Sequence, residues 1–238
     1  MASGKAARGT KAIKVDAVED RPTQLIEIAS RLFAARGYAG TSLRDIAEEA
    51  RVTKAALYYH FPNKEALYEQ IVVDSLQALI DRVSEAVVQA GSATEKVCAF
   101  MLSAADVFAG APDAWIAGSN VFWSSMGPQI RAAAVGRRDK FEKLLRSCIA
   151  EGVASGEFRK VDPAIAGRLL LSTLNQMTRW IKRDGPLTPR QVIEQYLEII
   201  LIGMRTHEAQ TTSRRRDSAV TTIRSVGPSR KTPKAGKA

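Results

Sequence analysis

The chain has 238 residues and a formal net charge of +10, and 45% of its residues are hydrophobic. This length suits one small and one medium domain, each with enough apolar residues for a core. It contains neither a run of eighteen apolar residues nor an apolar signal segment near its start, which argues against a membrane span and against secretion and predicts a cytoplasmic protein. The two cysteines, Cys98 and Cys148, fit buried thiols in a reducing compartment.

Most of the positive charge lies in one terminal segment. Residues 205–238 carry nine Lys or Arg and two acidic residues, whereas residues 21–204 carry a net charge of only +2. We expect residues 1–20 to form a disordered arm and residues 207–238 a disordered basic tail, because both are polar and aperiodic. Each is either a solvated segment or a non-specific contact for phosphate. The net charge of residues 21–204 is therefore too small to indicate DNA binding, which depends instead on a motif within those residues.

Residues 22–36 have the apolar spacing of an amphipathic helix, and Gly37 follows as its C-terminal cap. Residues 41–64 then read as two short helices around a tight turn, followed by the cap of a third helix. Thr41 or Ser42 caps the first short helix, and Thr53 caps the second.

The second short helix has two unlike sides. Leu57 and Phe61, four residues apart, face inward, which leaves Lys54, Ala55, Tyr59 and His60 to face outward. Small and hydrogen-bonding residues at the start of a helix suit the major groove of DNA, since they reach base edges without steric bulk.

The stretch from about Arg21 to Ile71 resembles the DNA-binding region of the Tet repressor (TetR) family of bacterial regulators. The resemblance rests on the Gly37-Tyr38 pair, on the run 41–47 and on the signature of residues 57–64. It implies a three-helix DNA-binding domain over residues 21–66. Arg51 stands in the turn where the family most often has glycine, and a positive φ there costs a non-glycine residue about 1 kcal/mol.

Resemblance and side-chain chemistry together predict the DNA contacts. The start of the second short helix is expected to meet bases, and Arg44 is expected to meet a phosphate or a groove edge. The tyrosines and His60 are expected to meet the sugar-phosphate backbone; Tyr59 or His60 could instead touch a base, and Tyr58 is equally suited to the core. Lys64, at the start of a long helix, is expected to clamp a phosphate. Two copies about 34 Å apart would read a palindromic operator. The predicted contacts are Arg44, Thr53, Lys54, Ala55, Ala56, Tyr58, Tyr59, His60 and Lys64.

The rest of the chain predicts helices and no strand. The fold class is therefore all-α, with the helix-turn-helix domain followed by a helical ligand-binding and dimerisation domain over residues 67–206. A helix of about 25 residues, roughly 37 Å long, connects the two domains. Further helices are predicted at 94–108, 113–126, 130–155, 164–183 and 189–204.

Large apolar residues on the middle helices suit a mostly apolar effector pocket, although each alone is more typical of a core. The segment 175–188 also resembles a TetR subgroup that controls fatty-acid, steroid or aromatic-acid breakdown and often senses acyl-CoA thioesters. The resemblance implies that Arg179, Lys182 and Arg183 contact nucleotide phosphates and that Trp180 stacks on adenine. The alternative is that these cations form the solvated basic end of a helix, which the helix dipole favours. The predicted ligand residues are Phe100, Phe108, Trp115, Phe122, Trp123, Met126, Asn175, Met177, Arg179 and Trp180.

The last two helices have broad apolar faces, which the resemblance assigns to a four-helix homodimer interface and which otherwise would be ordinary core. The predicted interface residues are Leu169, Leu170, Leu174, Ile193, Tyr196, Leu197, Ile200 and Leu201.

No nucleophile–base pair, metal-ligand spacing or nucleotide-binding loop occurs, so the sequence predicts no catalytic residue, no metal site and no cofactor. It predicts a homodimeric transcriptional repressor of catabolic genes, released from double-stranded DNA by an apolar small molecule or an acyl-CoA. The alternative is a ligand-independent, basic, architectural DNA-binding protein.

Overall fold

The computed structural model describes residues 21–120, 128–182 and 184–205, without the side chains of residues 119, 120, 129 and 130. These residues form helices joined by short connectors, with one isolated bridge between Phe158 and Arg205, which confirms the all-α prediction. The helices are α1 (Arg21–Arg36), α2 (Leu43–Glu49), α3 (Lys54–His60), α4 (Lys64–Val88), α5 (Ala93–Gly110), α6 (Pro112–Asn120), α7 (Pro128–Ala154), α8 (Pro163–Met177) and α9 (Pro189–Met204).

The described residues divide into two compact units, and the first comprises residues 21–80 with parts of 110–139. Its core includes three aromatic rings, Phe33, Tyr38 and Tyr68, with centroids 4.9 to 5.7 Å apart. Helix α6 packs against α1, and the Tyr68 hydroxyl donates a buried hydrogen bond of 2.7 Å to the carbonyl oxygen of Ala117. The helix-turn-helix therefore shares its core with α6, a helix that the sequence assigned to the following domain.

The second unit comprises residues 81–109 and the described residues after 139. Arg190 on α9 forms an ion pair of 2.5 Å with Asp106 on α5, and α8 packs against α9. Glu157 accepts hydrogen bonds from the backbone amides of Ala93 and Thr94, which stabilises the start of α5.

The connector before α8 fits tightly against α7. The ring of Phe158 is buried, and a Cβ atom added at Gly152 would lie only 2.3 Å from it. Glycine at position 152 therefore lets the connector pack against the helix.

Helix α8 ends at Met177, and the prediction of a helix to residue 183 is wrong. After Met177 the chain forms tighter turns, because the amides of Arg179 and Trp180 donate hydrogen bonds to the carbonyl oxygens of the residues three positions earlier. Trp180 consequently lies in a connector. Among the described residues no single helix is long and apolar enough to cross a membrane.

Candidate nucleic-acid interface

Helix α2 begins with a reciprocal capping arrangement. The Ser42 hydroxyl oxygen accepts a hydrogen bond from the Asp45 amide at 3.2 Å, and the Ser42 amide donates to the Asp45 carboxylate at 2.8 Å. Ser42 is thus the cap, whereas Thr41 is buried and donates to backbone carbonyls. Hydrogen bonds from the Ser42 side chain, then from its amide, lower the pKa of Asp45. This carboxylate supports the cap at neutral pH and loses that contribution as the pH falls through its depressed pKa.

The turn between α2 and α3 is closed by two backbone hydrogen bonds. The Val52 amide donates to the Ala47 carbonyl at 3.0 Å and the Arg51 amide donates to the Glu48 carbonyl at 3.1 Å. This is a Schellman motif, which needs one residue with left-handed backbone angles. Arg51 occupies that position with φ +53, which confirms the positive φ expected from the sequence.

Helix α3 presents small and polar residues to solvent. The Thr53 hydroxyl caps it by accepting a hydrogen bond from the Ala56 amide, and Leu57 and Phe61 are buried as predicted. The tyrosine side chains after Leu57 are strongly exposed, Tyr58 by 51% and Tyr59 by 86%. Exposure favours the surface role of Tyr58 over the core role. Thr53, Lys54, Ala55 and Ala56 are exposed as well, and His60 is half-buried.

Arg44 is held by a neighbour on the same helix. Its Nε atom donates to the Glu48 carboxylate at 2.7 Å, one turn further along α2, and both side chains are exposed. The ion pair orients the guanidinium while leaving its other N–H groups for a further acceptor.

Lys64 has an additional role that the sequence did not reveal. Its ammonium donates to the carbonyl oxygens of Tyr38 and Thr41, at 2.9 and 3.0 Å, and lies 4.2 Å from the centre of the Tyr38 ring. The Tyr38 hydroxyl donates in turn to the carboxylate of Glu65 at 2.9 Å, while burial is the main cause that raises the pKa of Tyr38. The lysine predicted as a phosphate clamp thus braces the start of α4 against the connector between α1 and α2, which leaves one N–H for another acceptor.

The first residues of three helices line one open cavity of about 440 Å³. Three cations contribute to it, one from each helix, and α4 adds the positive end of its dipole. This concentration of positive charge suits an anion such as a phosphodiester group. The lining residues are Ser42, Leu43, Arg44, Lys54, Tyr58, Pro62, Asn63 and Lys64.

The predicted ligand residues occupy different environments. Phe100, Phe108 and Met177 are buried in the second unit, and Trp115 is half-buried in the first. Of the predicted ligand residues in the second unit, Asn175, Arg179 and Trp180 are exposed. Phe122, Trp123, Met126 and Arg183 lie outside the described residues. Among the described residues, no cluster of three His, Cys, Asp or Glu could hold a metal ion.

The α8–α9 pair has an apolar face directed to solvent. The prediction that Leu170, Leu174, Ile193, Leu197 and Leu201 form the interface is wrong for these five residues, because they are buried within the chain itself. Helices that are apolar on two sides do not reveal from sequence which side is inside. The exposed apolar residues on these helices are Ile165, Leu169, Ile199 and Ile202, each exposed by 54 to 69%; we call them the outer apolar face.

Two family models match the chain. The one described as "Bacterial regulatory proteins, tetR family" matches residues 25–71, and the one described as "Tetracyclin repressor-like, C-terminal domain" matches residues 90–204. Together the two ranges include the helix-turn-helix and helices α5 to α9.

Similar proteins are known by sequence and by structure. The chain is 32% identical over 186 residues to the HTH-type transcriptional repressor KstR2 of Mycolicibacterium smegmatis, over 77% of this chain and 90% of that protein. It is 34% identical to the TetR family regulator PfmR from Thermus thermophilus, with a TM-score of 0.71 over 74% and 96% of the two chains. It is 27% identical to AibR, in a crystal structure with isovaleryl coenzyme A and operator DNA, with a TM-score of 0.67 over 75% and 97%.

Proposed function

The chain belongs to the TetR family of bacterial transcriptional regulators, and we propose that it is a repressor that leaves its operator when a small acyl-CoA thioester binds. As a member of this family it is a DNA-binding regulator and not an enzyme. Its partners are operator DNA, a small-molecule effector and a second copy of itself. It acts in the cytoplasm, where that DNA lies.

The cavity at the starts of α2, α3 and α4 is the observation that carries the DNA-binding role. Arg44, Lys54 and Lys64 bring three positive charges to one open concavity. Phosphate contacts made by Arg44 and Lys64 fix the register of the protein on the duplex, and Lys54, at the exposed start of α3, then lies next to base edges in the major groove.

One similar protein and the exposed connector after α8 support a CoA thioester as effector. The similar protein AibR forms a complex with isovaleryl coenzyme A and operator DNA. In this chain Trp180 is 49% exposed and Arg179 beside it is also exposed, so both are accessible to a nucleotide. An indole ring can stack on adenine and a guanidinium can bind a phosphate through two N–H groups, which fits the polar end of CoA.

Release requires that the effector binds better to a conformation that fits DNA poorly. Helix α6 is suited to carry the signal, because Ala117 accepts the hydrogen bond of Tyr68 on α4. A shift of α6 on effector binding would act on α4 through that buried hydrogen bond. The start of α4 is in turn attached through Lys64 to the connector that precedes the cap of α2.

Fluorescence anisotropy with the DNA upstream of the gene tests the proposal. We expect tight, salt-dependent and sequence-preferring binding that isovaleryl-CoA or another acyl-CoA relieves, while free acids and CoA alone do not. Trp180→Ala and Arg179→Ala should bind the operator normally and resist release, whereas Leu187→Ala, at an exposed residue of the same connector, should behave as wild type. Binding that the whole thioester panel leaves unchanged would reject the CoA thioester and retain the repressor.

A further inference from the structure

Lys54 is the one cation of the cavity that makes no hydrogen bond or ion pair with any residue that the structure describes. Arg44 is bound to the Glu48 carboxylate, and Lys64 donates to two backbone carbonyls. Lys54 is exposed and is the first residue of α3, the helix that starts at the Thr53 cap. Its ammonium therefore has three N–H groups available for DNA, and binding DNA would break no contact within the described protein.

The remaining outward residues of α3 limit what this helix can read. The helix has the sequence Lys-Ala-Ala-Leu-Tyr-Tyr-His, without Asn or Gln to pair with adenine and without Asp or Glu to accept from cytosine. Ala55 and Ala56 are exposed in its first turn and offer only methyl groups. The apolar group that the major groove presents to such methyl groups is the C5-methyl of thymine.

From this side-chain inventory we infer that each operator half-site contains a guanine read by Lys54 and, next to it, a thymine read by Ala55 and Ala56. The Lys54 ammonium donates to the O6 and N7 atoms of the guanine, two acceptors that adjoin each other in the major groove. Arg44 and Lys64, which protein acceptors hold in place, serve the phosphates beside it. The inference rests on the proposed DNA-binding function and adds the identity of the bases.

A selection from random duplexes with the full chain supplies the preferred site without knowledge of the operator. Each guanine of the selected half-site is then replaced in turn by 7-deazaguanine, which lacks the N7 acceptor, and by adenine. At one position wild-type affinity should fall with both, by about 5- to 140-fold with adenine. In Lys54→Met, which keeps a side chain of similar length without the charge, that position should tolerate both replacements.

A change of preference is the more demanding test. Glutamine pairs with the N6 and N7 atoms of adenine, so Lys54→Gln should prefer adenine over guanine at that one position. Lys54→Arg is the matched control, because arginine also donates to O6 and N7 and should keep the guanine. All these variants should unfold at the wild-type temperature, since the Lys54 side chain has no partner among the described residues.

Uracil in place of thymine tests the second base without changing the protein. Loss of one buried methyl group should lower wild-type affinity about fourfold at the position beside the guanine. A uracil at other thymines of the half-site should change affinity less.

Four results would overturn the inference. If Lys54→Met weakens binding to all sequences equally and the guanine dependence persists, Lys54 is a phosphate contact. If no guanine in the selected site depends on its N7 atom, or if uracil has no local effect, the predicted bases are wrong while sequence-specific binding stands. If the wild-type chain prefers no sequence at all, the proposed function fails together with the inference.

Discussion

The outward surface of α3 and the outer apolar face of α8 and α9 both belong to helices that bury one side in the core, but the exposed side is polar on α3 and apolar on α8 and α9. Both regions bury one side of a helix, Leu57 in the first case and Leu170 and Leu197 in the second. Beyond the core, α3 exposes Lys54, alanines and tyrosines, whereas α8 and α9 expose isoleucines and a leucine. A polar surface with little bulk suits the groove of DNA, and an apolar surface suits another copy of itself. We therefore propose that α3 contacts the bases of DNA and that the outer apolar face forms the interface between two copies of the chain.

The largest effect is expected from a charge placed in the outer apolar face. In a symmetric dimer Ile199→Asp enters the interface twice, so we expect the dissociation constant of the dimer to rise at least about 100-fold. Operator affinity should fall by a similar factor, because a monomer binds each half-site independently and loses the gain in affinity that comes from linking two DNA-binding domains. Light scattering after size-exclusion chromatography, together with anisotropy, measures both effects.

Val88→Asp is the control for that experiment. Val88 is also a β-branched residue, exposed by 78%, but it lies on α4 outside the outer apolar face. This variant should remain dimeric and bind DNA normally. An Ile199→Asp protein that stays dimeric would show that another surface makes the dimer.

A smaller effect is expected from replacing Lys64 or Lys54. The two variants distinguish a lysine that stabilises the fold from a lysine that contacts DNA bases. Lys64→Met removes two hydrogen bonds to backbone carbonyls, so the free energy of unfolding should fall by about 1 to 2 kcal/mol. Lys54→Met, the same change at an unpaired cation, should leave stability unchanged and alter DNA preference. Urea denaturation and operator titrations measure the two quantities, and equal stability of the two variants would remove the bracing role of Lys64.

The smallest effect is expected at the turn of the helix-turn-helix. Arg51→Gly should raise the free energy of unfolding by up to about 1 kcal/mol, because glycine adopts the positive φ of this position without steric strain. Arg51→Ala retains a Cβ atom and should be no more stable than wild type. A glycine variant that is less stable than the alanine variant would contradict the strain at Arg51.

The features of the helix-turn-helix that were predictable depend on neighbours in sequence. The Thr53 cap, the inward Leu57 and the positive φ of Arg51 each follow from residues within one or two helical turns. The bracing by Lys64 was not predictable, since its acceptors lie 26 and 23 residues away.

The second unit was less predictable because its helices are apolar on more than one side. Periodicity located α8 and α9, but only the packed structure shows that Leu174 is inside and Ile199 outside. The end of α8 at Met177 was missed as well, because the residues that follow carry no proline or glycine until Gly185. Helix α6 packs against α1 and accepts a hydrogen bond at Ala117 from Tyr68 of α4, 49 residues earlier, and no local pattern contains such contacts.

Hydroxyl-radical footprinting of the full chain on its selected DNA site tests most directly that a symmetric pair of α3 helices reads an operator. We expect two equivalent protected regions, related by a two-fold axis, whose centres lie about 34 Å or a multiple of that distance apart, and no such footprint with Ile199→Asp at the same concentration. A single protected region, or continuous protection without symmetry, would contradict the account.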